Sequence, residues 1–180
     1  MVLPLFLHFG WAHWACNLFS LLAVGLSLEW VAGSVLVVYL FFFTGIASIL
    51  ISLMYHPQAM ALGCSGAVFG LWGARVLHSW WPPREPERYK TTLLCVCGLL
   101  LTVLPQQMGL AVDHWAHFGG LLAGLLGYAL YRLGKTTRVL ALVALLVWAG
   151  TVSRPPWLPR QGFGVGGSAG MGGGSTRISP

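Results

Sequence analysis

A chain of 180 residues that is 57% hydrophobic and 8% charged, with a mean hydropathy of +0.76, has too little polar surface to cover a soluble globule, which places it among integral membrane proteins. The net charge of +6 does not point to nucleic acid, because most Lys and Arg fall in short loops between apolar segments and in the tail, where they set orientation in a bilayer. The four cysteines, Cys16, Cys64, Cys95 and Cys97, lack Cys-x-x-Cys spacing and support neither a zinc site nor a disulfide framework.

Six apolar segments follow in order, each near the roughly 20 residues a helix needs to cross a bilayer. They are Leu3 to Leu28, Ser34 to Met54, Ser65 to Trp81, Thr91 to Leu110, Asp113 to Leu133, and the shortest, Thr136 to Val152. The first has no basic leader and carries His8, His13 and Asn17, so it reads as a retained span and not as a signal peptide. Arg84, Arg88 and Lys90 separate the third and fourth segments, and Arg132, Lys135 and Arg138 the fifth and sixth. The connections around His56 to Ala61 and Pro105 to Val112 have no Lys or Arg. This alternation puts the basic loops in the cytoplasm. The starts of the third and fifth spans, with Ser65 and His117, then share the non-cytoplasmic side. Past the last span the chain becomes glycine-rich and is expected to be a disordered tail over 154–180.

The third and fifth spans share a design. Gly66, Gly70 and then Gly73 or Ala74 line one face of the third; Ala116, Gly120, Ala123 or Gly124, and Gly127 line one face of the fifth. In lipid, close helix association relies on small residues that let backbones approach. Pairing the stripes from the top sets Gly66 level with Ala116 and leaves Ser65 and His117 at one depth. Serine and histidine are the minimum pair for acyl transfer. In the first span His13 and Asn17, four apart, share a helical face. Buried in a membrane they suit an oxyanion site, with donors aimed where charge develops on a carbonyl. The backbone N–H at the start of the third span would add another donor. His8, about 140° round the same helix from His13 at 3.6 residues per turn, is expected to do a different job, such as tying a loop near the outer surface. Asp113, four before His117, either orients it or caps the fifth helix, and capping weighs more. Arg75, on the cytoplasmic half, is expected to snorkel to the interface.

HFGWAHWACN with His8, His13 and Asn17, LEWVAGS with Glu29, Gly33 and Ser34, GCSGAVFG with Gly63, Ser65, Gly66 and Gly70, and DHWAHFGG with Ala116, His117 and Gly120 occur in this order. Together they resemble the rhomboid family of intramembrane serine proteases, over roughly Leu3 to Tyr131. The resemblance implies an all-α polytopic membrane protein, a rhomboid-like bundle with about six transmembrane helices in this chain. Residues 1–133 would form the second to sixth core helices and 134–153 an additional C-terminal helix. Measured against the family, the first core helix and the first outer loop, with its Trp-Arg motif, are not within the sequence. Ser65 is implied as nucleophile and His117 as general base and then acid, with His13 and Asn17 stabilising the oxyanion. Gly63, Gly66, Gly70, Glu29, Gly33, Ala116, Gly120 and Gly124 are structural.

The implied activity is a serine endopeptidase that cuts transmembrane segments and needs no metal or cofactor. Its partners would be single-pass membrane proteins and the lipid bilayer, not nucleic acid; oligomeric state is left open. A bacterial inner membrane is the expected location. The alternative is a catalytically inactive relative that binds clients without cutting them. A transporter would call for paired charges or broken helices at the midplane. A soluble hydrolase with a nucleophile elbow is excluded, since the motif is GxSG without a preceding strand.

Overall fold

A computed structural model describes residues 2–55, 57, 62–81, 86–107 (backbone only from 101) and 113–152. The expected tail, 154–180, lies outside the described residues, as do Arg84 and most of the connections 56–61 and 105–112. Among the described residues there are six α-helices and no strand: α1 (Trp11–Ala32), α2 (Ser34–Tyr55), α3 (Ser65–Trp80), α4 (Arg88–Gln107), α5 (His114–Leu133) and α6 (Lys135–Val152). The all-α expectation holds, and five of the six segments lie within three residues of their expected limits.

The first segment is the exception. Leu3–Phe6 form a short 3-10 turn, and α1 starts only at Trp11. Gly10, at φ 125°, breaks any helix before it, a conformation that hydrophobicity alone does not reveal. The turn has its own anchor, since Leu5 is 1% exposed and the Pro4 carbonyl accepts the Gly63 N–H at 2.9 Å. At its other end α1 runs past Leu28 to Ala32. There Gly33, at φ 84°, donates its N–H to the Glu29 carbonyl at 2.8 Å, and the Ser34 hydroxyl donates to the Glu29 carboxylate at 2.5 Å. Glu29 thus ties the end of α1 to the start of α2.

At the centre stands α3. Every residue from Gly66 to Arg75 is buried, and α1, α2, α4 and α5 surround it. Outside, α6 packs against α5 and α2 through Leu145 and Ala149, which meet Phe43, Ile46, Ala47 and Ala123. Large apolar side chains such as Trp11, Phe19, Trp30, Leu94, Leu126 and Val147 face outward, as they do where the solvent is hydrocarbon. By length and composition α1, α2 and α6 each qualify as a membrane span. Arg75 does not snorkel. It is 6% exposed, and its Nε donates to the Ser27 hydroxyl of α1 at 2.9 Å. Placed on the innermost helix, it has no lipid-facing surface to run along.

Candidate active site

The close approach of α3 and α5 begins with their glycines. A Cβ on Gly120 would run into the Gly66 carbonyl, and one on Gly124 into the Gly70 carbonyl, so the two backbones touch. At the top of this seam the space beside Gly66 is bounded by the Ala116 carbonyl, 3.2 Å from where its Cβ would stand. Gly66 therefore packs between Ala116 and Gly120 of α5, and not level with Ala116 as pairing the stripes from the top would have it. The other side of α3 is closed by α2: Ser48 fills the space at Gly66 and Thr44 that at Gly70. The hydroxyls of both turn back onto their own helix, Thr44 donating to the Leu40 carbonyl at 2.7 Å and Ser48 to that of Gly45 at 2.8 Å. A hydroxyl satisfied in this way packs as a small residue.

Ser65, half-buried, is the first residue of α3, where the leading N–H groups have no intrahelical acceptor. His117 is 7% exposed, and its imidazole lies flat on the Phe69 ring, centroids 4.1 Å apart and planes 9° from parallel. Phe69 follows Ser65 by one helical turn, so the His117 ring is set on α3 one turn from the serine. Among the described residues no hydrogen bond joins the two side chains. Asp113 is a cap. One carboxylate oxygen accepts the Ala116 N–H at 3.0 Å, and the other accepts the Ser52 hydroxyl of α2. Tyr55 and Trp115, stacked at 4.0 Å, close the same end of α2 against α5.

The third side comes from α1. The His13 ring lies against Gly63, two residues before Ser65; a Cβ there would stand 2.9 Å from His13 Cε1 and 3.3 Å from Nε2. Gly63 also has φ 106°, so both its backbone and its neighbour exclude a side chain. The Phe9 N–H donates to His13 Nδ1 at 3.4 Å. With Nδ1 accepting, the neutral ring carries its proton on Nε2, the nitrogen nearer Gly63. Asn17 is 4% exposed and donates through Nδ2 to the His13 carbonyl at 2.9 Å, so part of its amide is engaged within α1.

His8 touches both this group and the connection before α3, a loop contact of the kind expected of it. It precedes α1, so the helical angle of 140° does not apply; its ring meets His13 edge-on at 5.3 Å, and Nε2 stands 3.8 Å from Cys64 Sγ. Cys64 is no rival nucleophile, because burial pushes its thiol up to about 11 and keeps it protonated. Glu29 and Gly33 sit at the far end of α1, and Gly70 and Gly124 one turn or more down the seam; these shape the bundle and do not border Ser65. Phe69, Ser48, Thr44 and Ser52 are the contributors that sequence reasoning missed. The four-residue spacing of Thr44, Ser48 and Ser52 was a legible sign of a small-faced helix.

The rhomboid domain family model matches residues 1–135. RHOMBOID-like protein 5 of Arabidopsis thaliana is 34% identical over 134 residues, which cover 70% of this chain and 42% of that protein. Rhomboid-like protease 3 of Toxoplasma gondii is 34% identical over 128 residues, covering 69% and 48%. A third relative, Rhomboid-like protease 5 of Toxoplasma gondii, is 33% identical over 138 residues, covering 73% and 16%. The chain thus spans less than half the length of these curated relatives. No solved structure matches it. These plant and Toxoplasma relatives lend no support to a bacterial inner membrane. Helices with apolar outer faces and a domain match running from the first residue through α5 lead to one conclusion: this integral membrane protein belongs to the rhomboid family.

Proposed function

We propose that the chain is an intramembrane serine endopeptidase that cleaves transmembrane segments of other membrane proteins through Ser65 and His117. The observation that carries this reading is the α3–α5 seam, which sets the His117 ring on Phe69 one turn from Ser65. His117 takes the Ser65 proton as Oγ attacks the scissile carbonyl. The imidazolium then returns that proton to the leaving amine, and water activated by His117 releases the acyl group from Ser65. His13 Nε2–H and the Ser65 N–H are the donors for the oxyanion. Asn17 joins them once its amide leaves the His13 carbonyl. The hydrogen bond between Ser65 and His117 forms on substrate binding, as catalytic contacts often tighten only in the complex.

A substrate helix must unwind locally, since an intact helix hides its carbonyls in its own hydrogen bonds. It enters beside α4, whose Leu93, Leu94, Val96 and Leu100 are exposed and which, among the described residues, packs chiefly on α1 and α3. The basic α3–α4 and α5–α6 connections support a Ser65 end on the non-cytoplasmic side. The second reading, a client-binding protein without activity, draws on the engaged Asn17 amide and the absent Ser65–His117 bond. Labelling of the purified chain with a fluorophosphonate probe separates them. Labelling lost in both Ser65→Ala and His117→Ala supports the protease; a folded wild type that never labels supports the alternative.

A further inference from the structure

An apolar crevice of about 380 Å³ opens on the flank of the bundle between α2, α5 and α6, lined by Phe43, Ala47, Leu126, Leu130, Ala144 and Trp148 among others. It follows α5 from Leu122 to Leu130, a run of about 12 Å at 1.5 Å per residue. It ends near the α5–α6 turn, at the end of the bundle opposite Ser65. That turn carries Arg132, Lys135 and Arg138, and no Asp or Glu follows Asp113 anywhere in the sequence. Arg138 is held in place: its Nε donates to the Gly134 carbonyl at 3.2 Å, and its guanidinium lies 4.1 Å from the Tyr131 ring centre. Tyr131 packs on Tyr39 at 5.8 Å, and Tyr39 stacks at 5.5 Å on Phe43 of the crevice wall. The Tyr39 hydroxyl is buried there without a hydrogen-bond partner among the described residues.

We infer that the crevice and the turn form one binding site for an anionic phospholipid, with an acyl chain laid along α5 and the phosphate held by Arg138 and Lys135. An all-apolar lining does not hold water. Left empty, the walls would forfeit their dispersion contacts. The lining suits hydrocarbon. Along about 12 Å of α5 the crevice presents apolar side chains alone, a lining that a single acyl chain matches without leaving any polar group unpaired. Charge selects the headgroup, because the arginine's terminal N–H groups remain for a phosphate and no carboxylate pairs with Arg138 or Lys135 among the described residues.

Native mass spectrometry of the full chain, purified in mild detergent and titrated with defined lipids, tests this. One phosphatidylglycerol should be retained about tenfold more tightly than phosphatidylcholine. The pair Arg138→Gln and Lys135→Gln should remove that preference, and Arg138→Lys should keep most of it. Ala144→Phe, which fills the crevice without touching the charges, should reduce retention of both lipids, and it decides the matter if the charge variants fail to fold. Equal retention of the two lipids by the wild type would overturn the proposal. So would retention unchanged in Ala144→Phe, or glycerol phosphate competing as well as the intact lipid.

Discussion

Substituting Gly120 by Ala probes the contact on which the site geometry rests. An added Cβ would stand 2.8 Å from the Gly66 carbonyl carbon and 3.1 Å from its Cα, with the carbonyl oxygen nearer still. Carbon pairs settle at about 3.5–4.0 Å, so the helices must part by roughly 0.7 Å or more. The obstacle is backbone, and no rotamer change relieves it. Overpacking of this kind costs about 1–3 kcal/mol. At about 2–4 °C per kcal/mol for a chain of this size, melting in detergent should fall by several degrees. Because Gly120 lies one turn from Ala116 and His117, the shift also displaces the imidazole relative to Ser65. Misplacement approaching 1 Å costs on the order of 100-fold in rate, read here as fluorophosphonate labelling. Gly150→Ala is the control, since among the described residues nothing lies within 4 Å of an added Cβ there and a gain in helix propensity is expected instead. A Gly120→Ala protein as stable as the wild type would refute the backbone contact itself.

Gly63→Ala should also lower both stability and labelling, with a backbone cost of about 1–2 kcal/mol from the positive φ alone, checked by melting and probe kinetics. Asp113→Asn should leave labelling near wild type because Asn still caps α5, whereas Asp113→Ala should lose about 1 kcal/mol in a chemical melt; a collapse of labelling in the Asn variant would instead make Asp113 part of the chemistry. Trp72→Phe removes the indole donor that reaches the Ser20 hydroxyl of α1 at 3.1 Å and should cost about 1 kcal/mol with labelling unchanged.

The pairing of the α3 and α5 faces was legible because lipid leaves glycine and alanine spacing as the main instruction for close packing, and Gly66, Gly70, Gly120 and Gly124 carry it openly; the register was not, since the same spacing fits Gly66 level with Ala116 or beside Gly120. The α2 contribution was less visible. Thr44 and Ser48 read as polar, and only their bonds to carbonyls of their own helix turn them into packing surface. His8 was set on the helix because an apolar run does not distinguish helix from an anchored 3-10 turn, and the break depends on the φ of Gly10. Phe69 could not be singled out, since an aromatic at helical spacing is ordinary core until a histidine is found lying on it.

The central position of α3 has a consequence for how the protein is made. With 16 residues the helix reaches about 24 Å, short of the roughly 30 Å of hydrocarbon, and it carries Arg75 inward. Inside the bundle α2 and α5 pack on it most closely and hold it there. Yet α5 leaves the ribosome two helices after α3. A nascent chain halted before that point has Ser65 but neither His117 nor the glycine seam, so the contact between α3 and α5 forms only after α5 has been made.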